Sequence, residues 1–84
     1  MIINPFDKAK LEKKYPGAKY AEITADYEAG KTYFCGYWHE VFTVREILEN
    51  TPVFGKQYVC VWESGETTVH ATRPDRKRDF EIVF

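Results

Sequence analysis

Residues 57–72, Gln-Tyr-Val-Cys-Val-Trp-Glu-Ser-Gly-Glu-Thr-Thr-Val-His-Ala-Thr, leave little choice of local structure. Val59 and Val61 alternate with Tyr58, Cys60 and Trp62, the two-residue period of a half-buried strand. Gly65 follows, and short hairpin turns need a residue that reaches positive φ at little cost. Two strands closed by a tight turn are expected. With Ser64-Gly65 as a two-residue loop, Trp62 opposes Thr67, Cys60 opposes Val69 and Tyr58 opposes Ala71. Val61 with Thr68 and Val59 with His70 then occupy the other face, so Cys60 and His70 point to opposite sides. That register also sets Glu63 against Glu66, a like-charge pair that argues for fraying or for a wider loop.

The rest of the chain must build a core around this hairpin from 84 residues, enough for one small domain, residues 1–84. Six Phe, six Tyr and two Trp supply the buried area that a short chain otherwise lacks. A core this small cannot take every ring, and rings left at the surface are candidates for binding. The formal net charge of −1 creates no overall field toward nucleic acid or anionic lipid. Its distribution is uneven: +3 over residues 1–20, −5 over 21–72 and +1 over 73–84. No basic leader precedes an apolar run, and no window nears the roughly 20 apolar residues of a membrane span. Two cysteines in such a chain fit free thiols in a reducing cytoplasm, with Cys35–Cys60 pairing across adjacent strands as the alternative.

Along the chain, Asn4 and Pro5 read as the cap and first residue of a short helix. Phe6, Ala9, Leu11 and Tyr15 form its narrow apolar stripe, and Pro16-Gly17 ends it. Its lysines read as a solvated face. Residues 18–27 fit either a helical turn or an edge strand, and 28–31 a turn. Residues 31–47 are rich in strand formers, with Gly36 marking a bulge or bend and Tyr37-Trp38-His39-Glu40 a short connection. Thr43-Val44-Arg45-Glu46 also fits a helix capping box, but a long bent strand over 41–48 agrees better with its neighbours. Residues 51–56 read as a loop, 73–79 as a charged connection, and Phe80, Ile82 and Phe84 as one side of a last strand.

The expected class is mainly β. About five short strands, a bend near Gly36 and the hairpin Tyr58-Val59-Cys60-Val61-Trp62-Glu63-Ser64-Gly65 resemble SH3-like small barrels, most closely Tudor or KOW modules. The tail from Thr67 to Asp79 is similar to small bacterial and phage domains of this shape. The resemblance spans residues 31–84 and implies a barrel there, with residues 1–30 as a helical extension outside it.

Several constellations carry possible chemistry. The resemblance implies that Tyr33, Tyr37, Trp38, Phe42, Tyr58 and Trp62 fall on neighbouring strands or their ends, as those positions do in an SH3-like barrel. The resemblance implies a reader in which rings line a groove for a methylated cation, a proline-rich helix or stacked bases, with Glu40 or Glu63 supplying negative charge. The competing reading makes each ring part of the core, and only Tyr37-Trp38, at a loop, escapes it evenly. Arg73, Arg76, Lys77 and Arg78 suit phosphate contacts, yet Asp75 and Asp79 interleave with them and neutralise the run locally. Cys35, His39, Cys60 and His70 are zinc-ligand types without paired close spacing, so no metal site is expected. Cys35, His39 and Glu40 lack any motif that positions a nucleophile, and His70 reads as a strand residue bonding Asp75 or a backbone carbonyl.

The function expected is a non-catalytic binding module without cofactor, cytoplasmic, acting through Tyr37, Trp38, Glu40 and Trp62, with Arg73, Arg76, Lys77 and Arg78 supplying charge. A protein or peptide partner fits the charge balance best. An RNA- or DNA-binding module using residues 73–78 is the second reading, and a small phage or accessory structural subunit is the third.

Overall fold

The computed structural model describes residues 3–71 and 78–84. They form one helix, α1 (Pro5–Lys14), and six strands: β1 (Lys19–Glu22), β2 (Thr32–Cys35), β3 (Glu40–Thr51), β4 (Gly55–Trp62), β5 (Thr67–His70) and β6 (Phe80–Val83). The strands make a single antiparallel sheet in the order β1-β6-β2-β3-β4-β5. The mainly β class holds. β1 and β5 stand at opposite ends of that order, so the sheet is not a closed barrel. The sixth strand comes from the segment that fitted helix or edge strand equally: β1 pairs with β6, Tyr20 opposite Ile82.

Helix α1 begins where its cap demands. The Asn4 side chain accepts a hydrogen bond from the Phe6 N–H at 2.8 Å, and Pro5 fills the first position. The expected apolar stripe is corrected: Phe6, 86% exposed, and Ala9 face outward, and the buried residue is Leu11. Ten residues alone would not hold this helix, and Leu11 docks it among Phe34, Val41, Phe80 and Ile82 on one face of the sheet. Its lysine face is not simply solvated. Lys10 and Lys14 both reach Glu63, and Lys10 also donates to the His39 carbonyl at 3.3 Å.

The opposite face carries the larger core, in which Tyr33, Cys35, Phe42, Val44, Tyr58, Cys60 and Trp62 pack with Ile23 and Tyr27. Residues 23–31 cover this face and are fastened there. Gly30 N–H donates to the Val44 carbonyl at 2.7 Å, and Asp26 accepts from the Tyr58 hydroxyl at 2.6 Å and from Lys56 at 2.5 Å. Cys35 and Cys60 are buried, and neither is in a disulfide.

Residues 43–50 belong to a bent strand, and the capping-box signal is not used. The register shifts between Val44, opposite Cys60, and Glu46, opposite Val59. Arg45 is the extra residue of this bulge, which lets Ile47 return to the core face opposite Tyr58. A helix there would have surrendered this ladder for a few intrahelical bonds.

The β4–β5 hairpin is displaced by one residue from the expected register. Tyr58 opposes His70, Val59 opposes Val69, Cys60 opposes Thr68 and Val61 opposes Thr67. The loop holds three residues: Gly65 N–H donates to the Trp62 carbonyl at 2.9 Å and Trp62 N–H to the Glu66 carbonyl at 2.8 Å, with Gly65 at φ 95°. The wider loop takes Glu63 away from Glu66 and gives it to the lysines of α1. Because a one-residue slip turns a strand over, Thr68 and His70 share the face of Cys60 and Trp62.

Candidate binding site

Trp38, Glu40, Trp62, Glu66, Thr68 and His70 line a cavity of about 360 Å³. Each arrives there for a local reason. The β2–β3 turn is closed by His39 N–H donating to the Cys35 carbonyl at 2.8 Å, with His39 at φ 56°, and Trp38 projects from it 63% exposed. Glu40 opens β3 in register with Cys35. Trp62 ends β4, is 6% exposed, and packs with its ring centroid 4.9 Å from that of Phe42.

The floor of the cavity is a short polar chain. The Trp62 indole N–H donates to Thr68 Oγ1 at 2.6 Å, and Thr68 Oγ1 lies 2.7 Å from His70 Nε2. A threonine hydroxyl has two lone pairs and one proton, so it accepts the indole and either donates to a neutral His70 or accepts from a protonated one. Trp62 and His70 rings stand 6.2 Å apart, edge to face. The wall is acidic, Glu40 and Glu66, and the described lining residues include no lysine or arginine.

The turn that carries Trp38 is held from below. His39 Nδ1 is 2.7 Å from the Asp7 carboxylate of α1. Gly36 sits so close to the Arg78 backbone that a Cβ there would stand 2.3 Å from the Arg78 carbonyl oxygen. Gly36 N–H donates at 3.1 Å to Asp79, 2% exposed, which also accepts from the Tyr27 hydroxyl at 2.5 Å. Glu63 completes the frame. Its burial alone would push the carboxyl up, but hydrogen bonds from Lys14, from the Val41 backbone and from Lys10 outweigh this and hold it below its ordinary value.

Of the residues expected at the site, Trp38, Glu40 and Trp62 meet in the cavity. Tyr37, 61% exposed, packs edge to face against Trp38 at 5.0 Å and carries the Arg78 guanidinium 5.5 Å over its ring. Arg78 therefore lies beside Tyr37 and is absent from the described cavity lining. Arg73, Arg76 and Lys77 lie outside the described residues, as does Asp75. Tyr33, Phe42 and Tyr58 are buried, which makes them core rather than surface. Glu63, offered beside Glu40 as a counter-charge, is committed to α1. Glu66, Thr68 and His70 escaped the sequence reading because the two-residue loop put Thr68 and His70 on the wrong face; the Glu63–Glu66 repulsion was the available signal.

The one-residue slip also places Cys60 and His70 on the same face, against the expectation. Even so, no group of three or more His, Cys, Asp or Glu that could hold a metal ion occurs among the described residues. No described helix is long and apolar enough to cross a membrane. No family model, curated protein or solved structure matches the chain.

Proposed function

We propose that this chain is a non-catalytic binding module whose partner is a protein or peptide, engaged at the cavity between Trp38 and the β4–β5 hairpin. The observation that carries this reading is the joining of an exposed Trp38, a half-buried Glu40 and Trp62 in one 360 Å³ cavity with a fixed polar floor. Aromatic walls supply contact area at low entropic cost, and convergent polar groups orient a ligand. Glu40 and Glu66 at the mouth repel phosphate, which favours a protein partner over nucleic acid. A kinship with SH3-like small β modules belongs to the same proposal, supported by short antiparallel strands, tight hairpins and a bent β3. So does a cytoplasmic setting, supported by two buried cysteines in the thiol form.

The test is a set of amide spectra of labelled protein with a pool of short peptides and, separately, a pool of oligonucleotides. Peptides are expected to move Trp38, Glu40, Trp62 and Thr68, and Trp38→Ala, at an exposed ring, is expected to abolish the response while the fold persists. Shifts produced only by oligonucleotides, centred on Arg78 and lost on adding salt, would overturn the reading in favour of a nucleic-acid module.

A further inference from the structure

Among the described residues, the cavity adjoins a sheet edge with no strand paired beyond it. β5 is the last strand of the sheet, and Glu66, Thr68 and His70 reach the cavity from it or from the residue before it. The ladder fixes which backbone groups face outward. Trp62 N–H bonds to the Glu66 carbonyl, so alternation along an antiparallel pair turns Thr68 and His70 toward β4. The N–H and C=O groups of Thr67 and Val69 then point away from the sheet, and Val69 is 52% exposed. An edge of this kind is a template for one more strand. Side chains of an added strand that lie level with Thr68 and His70 project on the cavity side, because cross-strand neighbours share a face.

Resting on the proposed function above, we infer that the partner is an extended peptide segment that adds as a strand to β5 through Thr67 and Val69 and lays a basic side chain into the cavity. Charge complementarity selects the side chain. Glu40 and Glu66 offer two carboxylates, Thr68 Oγ1 keeps a second lone pair when it donates to His70, and Trp38 and Trp62 offer ring faces and edges. A guanidinium or ammonium group satisfies all three, whereas an acidic or phosphorylated side chain meets like charge. The backbone supplies affinity without sequence, and the cavity supplies the one position that is read.

The experiment uses the full chain and a capped heptapeptide, Thr-Val-Thr-Arg-Thr-Val-Thr, with a counterpart bearing Glu in place of Arg. Two further forms carry backbone N-methyl groups on alternate residues, one form for each edge of the peptide. The Arg peptide is expected to bind about ten-fold more tightly than the Glu peptide. One N-methylated form loses binding and the other keeps it, since only one peptide edge faces β5. Val69→Pro, which removes an outward N–H without touching the β4–β5 ladder, weakens the Arg peptide by a similar factor; the methylated peptides give the same answer should that variant not fold. Equal binding by all forms, with shifts still at Trp38 and Trp62, overturns strand addition and leaves the cavity as a binding site. No response to any of these peptides overturns the inference, and silence toward the wider peptide pool as well overturns the reading beneath it. A peptide-free sample whose β5 resonances move with protein concentration as dimer forms assigns the edge to a second copy and likewise overturns the peptide partner.

Discussion

Asp79→Ala is the perturbation that tests the frame beneath the site most sharply. Asp79 is 2% exposed and accepts hydrogen bonds from the Tyr27 hydroxyl at 2.5 Å and the Gly36 N–H at 3.1 Å. It thereby joins the segment that covers the core to the end of β2 and the start of β6. Hydrogen bonds to a carboxylate contribute about 1.5–3 kcal/mol each, and truncating the acceptor strands both donors, so a loss of about 3–5 kcal/mol is expected. A chain of this length has a total stability of about 4–12 kcal/mol, so the variant stands near the edge of folding. Tyr27→Phe keeps the ring against Tyr33 at 4.5 Å and removes the hydroxyl alone, for about 1.5–2.5 kcal/mol. The double variant should fall short of the sum by at least about 1 kcal/mol, because both changes remove the same contact. Urea unfolding at neutral pH, followed by tryptophan fluorescence, measures all four corners. Additive losses, or a loss below about 1 kcal/mol for Asp79→Ala, would refute the reasoning.

Gly36→Ala drives a Cβ to 2.3 Å from the Arg78 carbonyl oxygen, and a backbone neighbour cannot swing away. A loss of about 2–3 kcal/mol is expected, seen as a fall in Tm on the order of 10–20 °C by calorimetry. Glu63 has a lowered pKa in the folded chain, so its contribution is complete above its ordinary value of 4.5 and is lost as the pH falls through the lowered one. Glu63→Gln should therefore cost about 1 kcal/mol at pH 7, discounted for its half-exposed lysine partners, and nothing once both proteins are well below pH 4. Tyr58 is pushed up to about 12, first by burial and then by its hydrogen bond to Asp26. Its contribution is intact below the ordinary value of 10.0 and fades as the pH rises toward 12. The difference in tyrosinate absorbance between the native protein and Tyr58→Phe should accordingly stay near zero at pH 11; a full tyrosine step near pH 10 would contradict it.

Legibility in the sequence followed the range of the interactions involved. The α1 cap at Asn4 and Pro5 and the turn at Gly65 depend on neighbours a few residues away, and they could be read. The bent β3 was legible because the residues before it are β-rich and a helix over 43–50 would be marginal, whereas the bulge at Arg45 that keeps Phe42, Val44 and Ile47 on one face was not. The hairpin register was misread by one residue, since loop length depends on where Glu63 goes, and that is decided by Lys10 and Lys14 some fifty positions earlier. Sheet order was illegible for the same reason. Nothing local in residues 19–22 announces that they pair with residues 80–83 at the far end of the chain. At the site, Trp38 was readable as a ring on a loop, whereas Trp62 is held mostly in the core and contributes an edge. Glu66, Thr68 and His70 became visible only with the correct register.

Chemical-shift mapping of the labelled protein against the arginine heptapeptide tests the central claim most directly. The account predicts that the indole N–H signals of Trp38 and Trp62 move together with the amides of Glu66 to His70, while Tyr37, Arg78 and α1 stay still. Shifts gathered at Tyr37, Arg78 and the start of α1, with Trp62 and Thr68 unmoved, would contradict it and place recognition on the opposite side of the β2–β3 turn.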